Sequence, residues 1–183
     1  MLVNGQSGHT AGPLGMADVF TVLYYDWAKV DPKRPDWPER DYVYLSNGHI
    51  CPIWYVTLAM RGFFPVTELS HLRKIDSLLQ GHPHNETTPG VENSGGPLAQ
   101  GISQAAGCAL ALKIDGKQNR VYCLCGDGEL DEGQVWEALM FAAQFKLDNL
   151  TIFIDRNDIQ IDGPTHEIMN LEPLADKFRA FGW

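Results

Sequence analysis

The chain has 183 residues, 44% of them hydrophobic and 20% charged, with a formal net charge of −9. That length suits one domain with a sizeable core, and the balance is that of an ordinary globular protein. An acidic chain without a Lys/Arg cluster argues against nucleic acid or an anionic membrane as partner, so a phosphate site must rely on local amides, metal and a few cations.

In chain order, Met16 to Val30 reads as a helix with Met16, Val19, Leu23 and Trp27 on one stripe, closed by Asp31-Pro32. Lys33 to Asp41 is a polar, proline-rich loop, and Tyr42 to Leu45 a short strand aimed at Asn47-Gly48-His49. Ile50 to Arg61 is apolar and expected to be helical after Pro52, ending at Gly62, and a second helix is expected from Val66 to Leu79. Gly81 to Gly96 is irregular, and a loop of that length has a job. Pro97 sits where a helix can begin, so Leu98 to Ile114 is expected to be helical. Arg120–Cys125 and Leu150–Asp155 are continuous apolar runs, hence two buried strands, with a helix from Glu132 to Lys146 between them. Leu171 to Phe181 is a last amphipathic helix, and Phe178 to Trp183 forms an apolar finish expected to be exposed. Strand–helix–strand at this spacing implies an α/β fold, a parallel sheet with helices on both faces.

The four cysteines, Cys51, Cys108, Cys123 and Cys125, fit no zinc spacing and are read as reduced thiols, Cys123 and Cys125 on one face of a strand. Polar residues interrupt any apolar run at the start and no stretch is long enough to span a bilayer, which points to the cytoplasm.

The most telling segment is Gly126-Asp127-Gly128 after an apolar strand, followed by a helix and a second strand that ends in Asp155-Arg156-Asn157. This order can hold a divalent cation and a diphosphate at the carboxyl ends of two parallel strands. Mg²⁺ takes six oxygens, only some of them from protein. Asp127 offers a carboxylate, Asn157 an amide oxygen, and the loop after it a backbone carbonyl, that of Ile159. Gly126 and Gly128 allow close approach to a phosphate, and the helix near Glu132 adds its amides and dipole.

Together with Ser7-Gly-His9, Leu45-Ser-Asn-Gly-His49, Gln80-Gly-His82-Pro and Gly96-Pro97-Leu98-Ala99-Gln100-Gly101, this segment resembles the transketolase family over nearly the whole chain. The wording of Gly126-Asp-Gly-Glu-Leu-Asp-Glu-Gly-Gln-Val-Trp-Glu is closest to the N-terminal subunit of split transketolases, in which two chains make one enzyme. The resemblance implies a thiamine diphosphate-binding fold over residues 1–183, short of the family's full domain, and no pyrimidine-binding domain. It implies thiamine diphosphate with Mg²⁺ (or Ca²⁺ or Mn²⁺) as cofactors. The expected activity is transfer of a two-carbon ketol unit from a ketose phosphate to an aldose phosphate, as in the pentose phosphate pathway. It places His49 against the cofactor and His9 and His82 against substrate hydroxyls, all three as catalytic groups, and gives Gly96, Pro97 and Leu98 cofactor contacts. Glu132 and Glu137 would join a carboxylate network between paired sites of a dimer. The glutamate that activates the aminopyrimidine would come from a pyrimidine-domain subunit, in a homodimer or heterotetramer, so the chain alone is expected to be inactive. Two departures stand out: Ala99 replaces a glycine, and Thr10-Ala11-Gly12 follows His9 where proline and glycine are usual.

Other readings are a deoxyxylulose-phosphate synthase-like enzyme, a non-catalytic partner-binding subunit, and a nucleotide-binding α/β domain. The Gly-Pro-Leu and Leu-Ser-Asn-Gly-His segments argue against the first, and intact site residues against the second. The lack of Gly-x-Gly-x-x-Gly and of a phosphate-loop lysine argues against the third. Of the remaining histidines, His71 reads as solvated, His82-Pro-His84 is a poor metal pair, and His166, after Gly163-Pro-Thr, is placed weakly at the border of the active-site mouth.

Overall fold

The computed structural model describes all residues from Met1 to Trp183. They divide into two compact units, Met1–Val43 with Gly48–Gly96, and Tyr44–Asn47 with Pro97–Trp183.

The first unit contains short helices α1 (Leu2–Gly5), α2 (Ala11–Gly15) and α3 (Ala17–Val22), and the longer α4 (Cys51–Arg61). The expected helix from Met16 to Val30 is shorter and changes character: α3 passes into a π-turn over Leu23–Trp27, and Ala28 is extended. Its buried stripe is Met16, Phe20, Leu23 and Tyr24, while Trp27 is 54% exposed. The widened last turn moves Trp27 off the packed face. Tyr24 instead accepts a 2.5 Å hydrogen bond from the Trp54 indole of α4. Trp54, Tyr55 and Leu58 put the inner face of α4 into this core. α4 ends at Gly62, whose φ of 91° closes it in the left-handed conformation that glycine adopts without strain. The expected helix from Val66 to Leu79 does not form beyond a 3₁₀ turn at Val66–His71. Arg73 and Asp76 have φ of 60° and 61°, which no α-helix accommodates.

In the second unit a three-stranded sheet runs β1 (Tyr42–Leu45, entering from the first unit), β2 (Val121–Gly126), β3 (Leu150–Asp155) in that spatial order. β2 and β3 are parallel, with Val121 opposite Leu150 and Gly126 opposite Asp155. The crossover passes through α6 (Gly133–Gln144), preceded by a 3₁₀ turn at Gly128–Asp131. α5 (Gln100–Ile114) packs on β2, β3 and α6. This is the expected parallel α/β sheet flanked by helices. β2 is buried along its length as its apolar run demands, and the Cys123 and Cys125 sulfurs lie 3.8 Å apart on one face. β3, also read as buried, is so only at Leu150, because it is the edge strand of this sheet. α5 starts later than Pro97 suggests, because Ala99 takes a left-handed φ of 67° and the helix begins at Gln100. A hairpin, β4 (Ile159–Gln160) with β5 (Gly163–Pro164), follows β3 where the sequence marks only a loop; α7 (Thr165–Ile168) and α8 (Leu174–Ala180) complete the unit. The apolar finish is docked: Phe178 and Phe181 pack on the Trp136 ring, and the Trp183 indole donates to the Leu139 carbonyl of α6. No helix is long and apolar enough to cross a membrane.

Candidate functional site

In the first unit, three loop segments bring three of the predicted histidines together. The His9 and His49 rings meet edge-on with centroids 5.0 Å apart. His82 lies beside Gly96: a Cβ there would sit 3.7 Å from the His82 ring. Gly48 approaches the same strip of chain, where a Cβ would come 3.0 Å from the Gly96 nitrogen. The pKa of His49 is lowered, first by burial and then by His9 and His82. That of His82 is lowered by burial, then by the Arg73 guanidinium and His9. Both imidazoles are therefore neutral at neutral pH, with one nitrogen free to accept a proton and the other to donate one.

Arg73 holds this arrangement, and no motif in the sequence points to it. Its guanidinium donates to Ser7 Oγ at 2.5 Å and to the Gly81 carbonyl at 3.2 Å, tying the His9 loop to the His82 loop. His71 is half-exposed beside Glu68, as expected of a solvated side chain.

In the second unit, Gly126, Asp127 and Gly128 leave the carboxyl end of β2, and Asn157 and Ile159 lie in the loop leaving β3. The parallel register makes these two exits neighbours, and Asp127 joins them. One carboxylate oxygen accepts from the Gly128 amide at 2.9 Å, the other from the Asp158 amide at 2.7 Å. The Asp127 amide donates to the Asp155 carbonyl. Gly128 must be glycine, because a Cβ would lie 2.7 Å from that of Gln160. Asn157 Oδ1 accepts from the Ile159 amide at 3.1 Å, and its amide group donates to Asp155. The pKa of Asp127 is raised, chiefly by burial, with amide hydrogen bonds opposing and Asp155 adding to the rise.

The donor set suits a divalent cation. Asp127 has no ion-pair partner; the nearby Arg156 is paired with Asp158 and Glu172. Oxygen donors on a buried carboxylate that forms no salt bridge suit a hard cation. No group of three or more His, Cys, Asp or Glu residues could hold a metal by itself. A cation here would need further ligands from a phosphate or water, as Mg²⁺ commonly does. Buried Asn47 sits next to Gly126, and its Oδ1 has no partner, which leaves one more polar atom for a bound group. The residues present fit a metal diphosphate.

Of the other predicted residues, Pro97 is exposed and Leu98 half-buried in the turn before α5. Glu132 is exposed at the N-cap of α6 and makes no side-chain cap hydrogen bond. Glu137 is also exposed. The anion-facing helix start expected at Glu132 is separated from Asp127 by the 3₁₀ turn. Besides Asp127, the acid buried in this turn is Glu129, which no motif assigned a role. Its pKa is raised by burial, against hydrogen bonds from Ser46, Ala99 and Gly126 that favour the charged form.

Residues 2–183 match the family described as "Transketolase, thiamine diphosphate binding domain". The chain belongs to the transketolase family. Within it, the chain is 48% identical over 176 residues to the 6-deoxy-6-sulfo-D-fructose transketolase subunit SqwG of Clostridium sp. (strain MSTE9), covering 96% of this chain and 64% of that one. It is 42% identical over 183 residues to an apulose-4-phosphate transketolase subunit of Phocaeicola vulgatus, covering 100% and 65%. The chain thus spans a little under two thirds of the length of these transketolase subunits. The transketolase of Leishmania mexicana superposes with a TM-score of 0.92 at 38% identity, covering 99% of this chain and 28% of that enzyme. The resemblance carried by the histidine and Gly-Asp-Gly segments is therefore a family membership, and the matched part of that family is its thiamine diphosphate-binding domain.

Proposed function

We propose that the chain is the diphosphate-binding part of a split transketolase. In this reading it binds thiamine diphosphate through a divalent cation and transfers a two-carbon ketol unit from a ketose phosphate to an aldose phosphate. Residues 1–183 would serve as one functional domain, and a pyrimidine-domain subunit would supply the rest of the enzyme. The observation that carries the reading is the buried Asp127 carboxylate, held by amides from the exits of two parallel strands and forming no salt bridge. Both subunits named above are transketolases of sugars that bear an anionic group, a sulfo group in one and a phosphate in the other. That supports an anionic ketose as donor here.

Asp127, Asn157 and the Ile159 carbonyl would hold Mg²⁺, and Gly126, Gly128, Gly96, Pro97 and Leu98 would admit the cofactor by their small or apolar surfaces. Thiamine diphosphate, when bound, supplies the carbanion equivalent that makes ketol transfer possible. His9 and His82, on loops clamped by Arg73, would accept and return protons at substrate hydroxyls. His49, neutral because buried, would hydrogen-bond without adding charge. Glu132 remains a candidate cofactor-side carboxylate on the exposed start of α6.

The test uses the chain assembled with its pyrimidine-domain subunit. Calorimetric titration with thiamine diphosphate is expected to show binding with Mg²⁺, none after chelation, and none for Asp127→Ala. Equal affinity with and without divalent cation would overturn the reading.

A further inference from the structure

Glu129 is 2% exposed, yet it is an acidic side chain in a chain of net charge −9. Burial of a carboxylate is costly unless its oxygens are filled by donors. Here they are. Glu129 Oε1 accepts from Ser46 Oγ at 2.5 Å and from the Ala99 amide at 2.5 Å, and Oε2 accepts from the Gly126 amide at 3.3 Å. Ser46 Oγ in turn accepts from the Ile102 amide at 3.2 Å, at the start of α5. The three segments so joined are the end of β1, the turn before α5 and the end of β2, all within the second unit. They lead into Asn47, out of Pro97-Leu98 and into Asp127 respectively. Every group facing Glu129 is a donor, so only an acceptor on both oxygens satisfies the cluster.

We propose that Glu129 is a positioning residue for the cofactor: its carboxylate fixes the Pro97–Ala99 turn against the Gly126-Asp127 exit and so pre-shapes the diphosphate site. This rests on the function proposed above. Ala99 shows why such a fixture is needed. Its φ of 67° is a conformation that alanine adopts reluctantly, and its amide is the one Glu129 receives. That acceptor stabilises the strained geometry, alongside the burial of Ala99 and a 3.5 Å hydrogen bond from Ser103 Oγ to its carbonyl. Glutamine is the informative substitution, since it keeps the size and replaces one acceptor by a donor. Whichever way the amide turns, an N–H then faces another N–H or the serine hydroxyl, and one buried donor is left unpaired.

Two measurements test this on the assembled complex. The first is calorimetric binding of thiamine diphosphate with Mg²⁺ present, with kcat and sugar-phosphate KM at saturating cofactor. Glu129→Gln is expected to raise the cofactor dissociation constant about tenfold, the loss typical of one unsatisfied buried hydrogen bond. The sugar KM should be unchanged and kcat largely restored by excess cofactor. Ser46→Ala, which removes one of the donors, the others being the Ala99 and Gly126 amides and the Cys125 thiol, and leaves the carboxylate, should give a smaller rise. The second is amide hydrogen exchange without cofactor, where Glu129→Gln should speed exchange in residues 97–100 and 124–128 and leave α4 as protected as in the wild type. An affinity within twofold of wild type overturns the proposal, as does unchanged exchange in both segments. A loss of protection across the whole chain also overturns it, for it would mark Glu129 as a general stabiliser. If the wild-type complex shows no Mg²⁺-dependent binding, the proposed function falls instead, and the exchange experiment still decides whether Glu129 holds the turn.

Discussion

Gly101 and Gly107 stand six residues apart on α5 and should respond to alanine in opposite directions. A Cβ on Gly101 would lie 2.5 Å from Ser46 Cα and 2.9 Å from Ser46 N, whereas one on Gly107 meets nothing within 4 Å. Carbon atoms in contact normally sit about 3.5–4.0 Å apart, so Gly101→Ala demands a shift on the order of 1 Å. Ser46 cannot yield freely: its amide donates to the Leu124 carbonyl of β2 at 2.9 Å, and its hydroxyl lies between Ile102 and Glu129. Overpacking against such a site costs roughly 1–3 kcal/mol. Alanine in a helix interior returns about 1 kcal/mol over glycine, and at most that at Gly101, the second residue of α5. Because the obstacle is backbone, the cost falls at the upper end and the net is a loss of about 2 kcal/mol. Gly107→Ala, on the exposed side, keeps only the gain of about 1 kcal/mol.

For a chain of this size each kcal/mol moves Tm by about 2–4 °C. Thermal unfolding followed by circular dichroism should therefore show Gly101→Ala down by about 4–8 °C and Gly107→Ala up by about 2–4 °C. Two shifts of the same sign would refute the argument, since both variants exchange glycine for alanine on one helix. Gly101→Ala should also weaken cofactor binding, because the displaced Ser46 hydroxyl is a donor to Glu129; Gly107→Ala should not.

Three further outcomes are expected. Ala99→Gly relieves about 1–2 kcal/mol of left-handed strain but loses a buried methyl of about 0.8 kcal/mol and frees the unfolded chain by about 0.4–1 kcal/mol; it should be nearly neutral in urea denaturation, whereas Ala99→Val, β-branched at positive φ, should lose more than about 2 kcal/mol. His49 has a folded pKa below its ordinary value of 6.5, so the unfolded state binds the proton more readily and the associated stability is present above that value and lost as pH falls through it. Wild-type Tm should thus drop relative to His49→Gln between pH 7.5 and pH 5.5, and a constant difference would contradict the assignment. Glu92 accepts from Arg40 Nε and Nη2, each at 2.8 Å, with little exposure of either side chain; Glu92→Ala leaves the guanidinium its bonds to Trp37 and Tyr42 but no carboxylate, and should cost about 3 kcal/mol by denaturant titration.

What could be read from the sequence was local, and what could not depends on contacts between distant residues. The strands at Tyr42–Leu45 and Leu150–Asp155 follow from short apolar runs bounded by polar residues, and the stop of α4 at Gly62 from glycine's freedom at positive φ. Asp127 and Asn157 could be proposed as partners because they end the two strands of one parallel crossover, a relation that the order of elements carries. The helix expected over Val66–Leu79 failed for the opposite reason. Arg73 is a good helix former, and what sets its φ of 60° includes a guanidinium reaching Ser7, 66 residues away. The start of α5 is likewise decided at Ala99, whose amide goes to a carboxylate 30 residues later. Glu129 illustrates the same limit. In the run Glu129-Leu-Asp131-Glu132 nothing local separates one acid from the next, yet Asp131 and Glu132 are exposed and Glu129 is enclosed. The difference is Ser46, 83 positions earlier, which points a hydroxyl at it. Candidate ligand atoms can therefore be proposed from motifs, while the atoms that would keep them in place belong to the tertiary structure. On the function proposed above, a chain that retained Asp127 and Asn157 but lost the acceptor at Glu129 would still show the family's motif and should hold the cofactor less well.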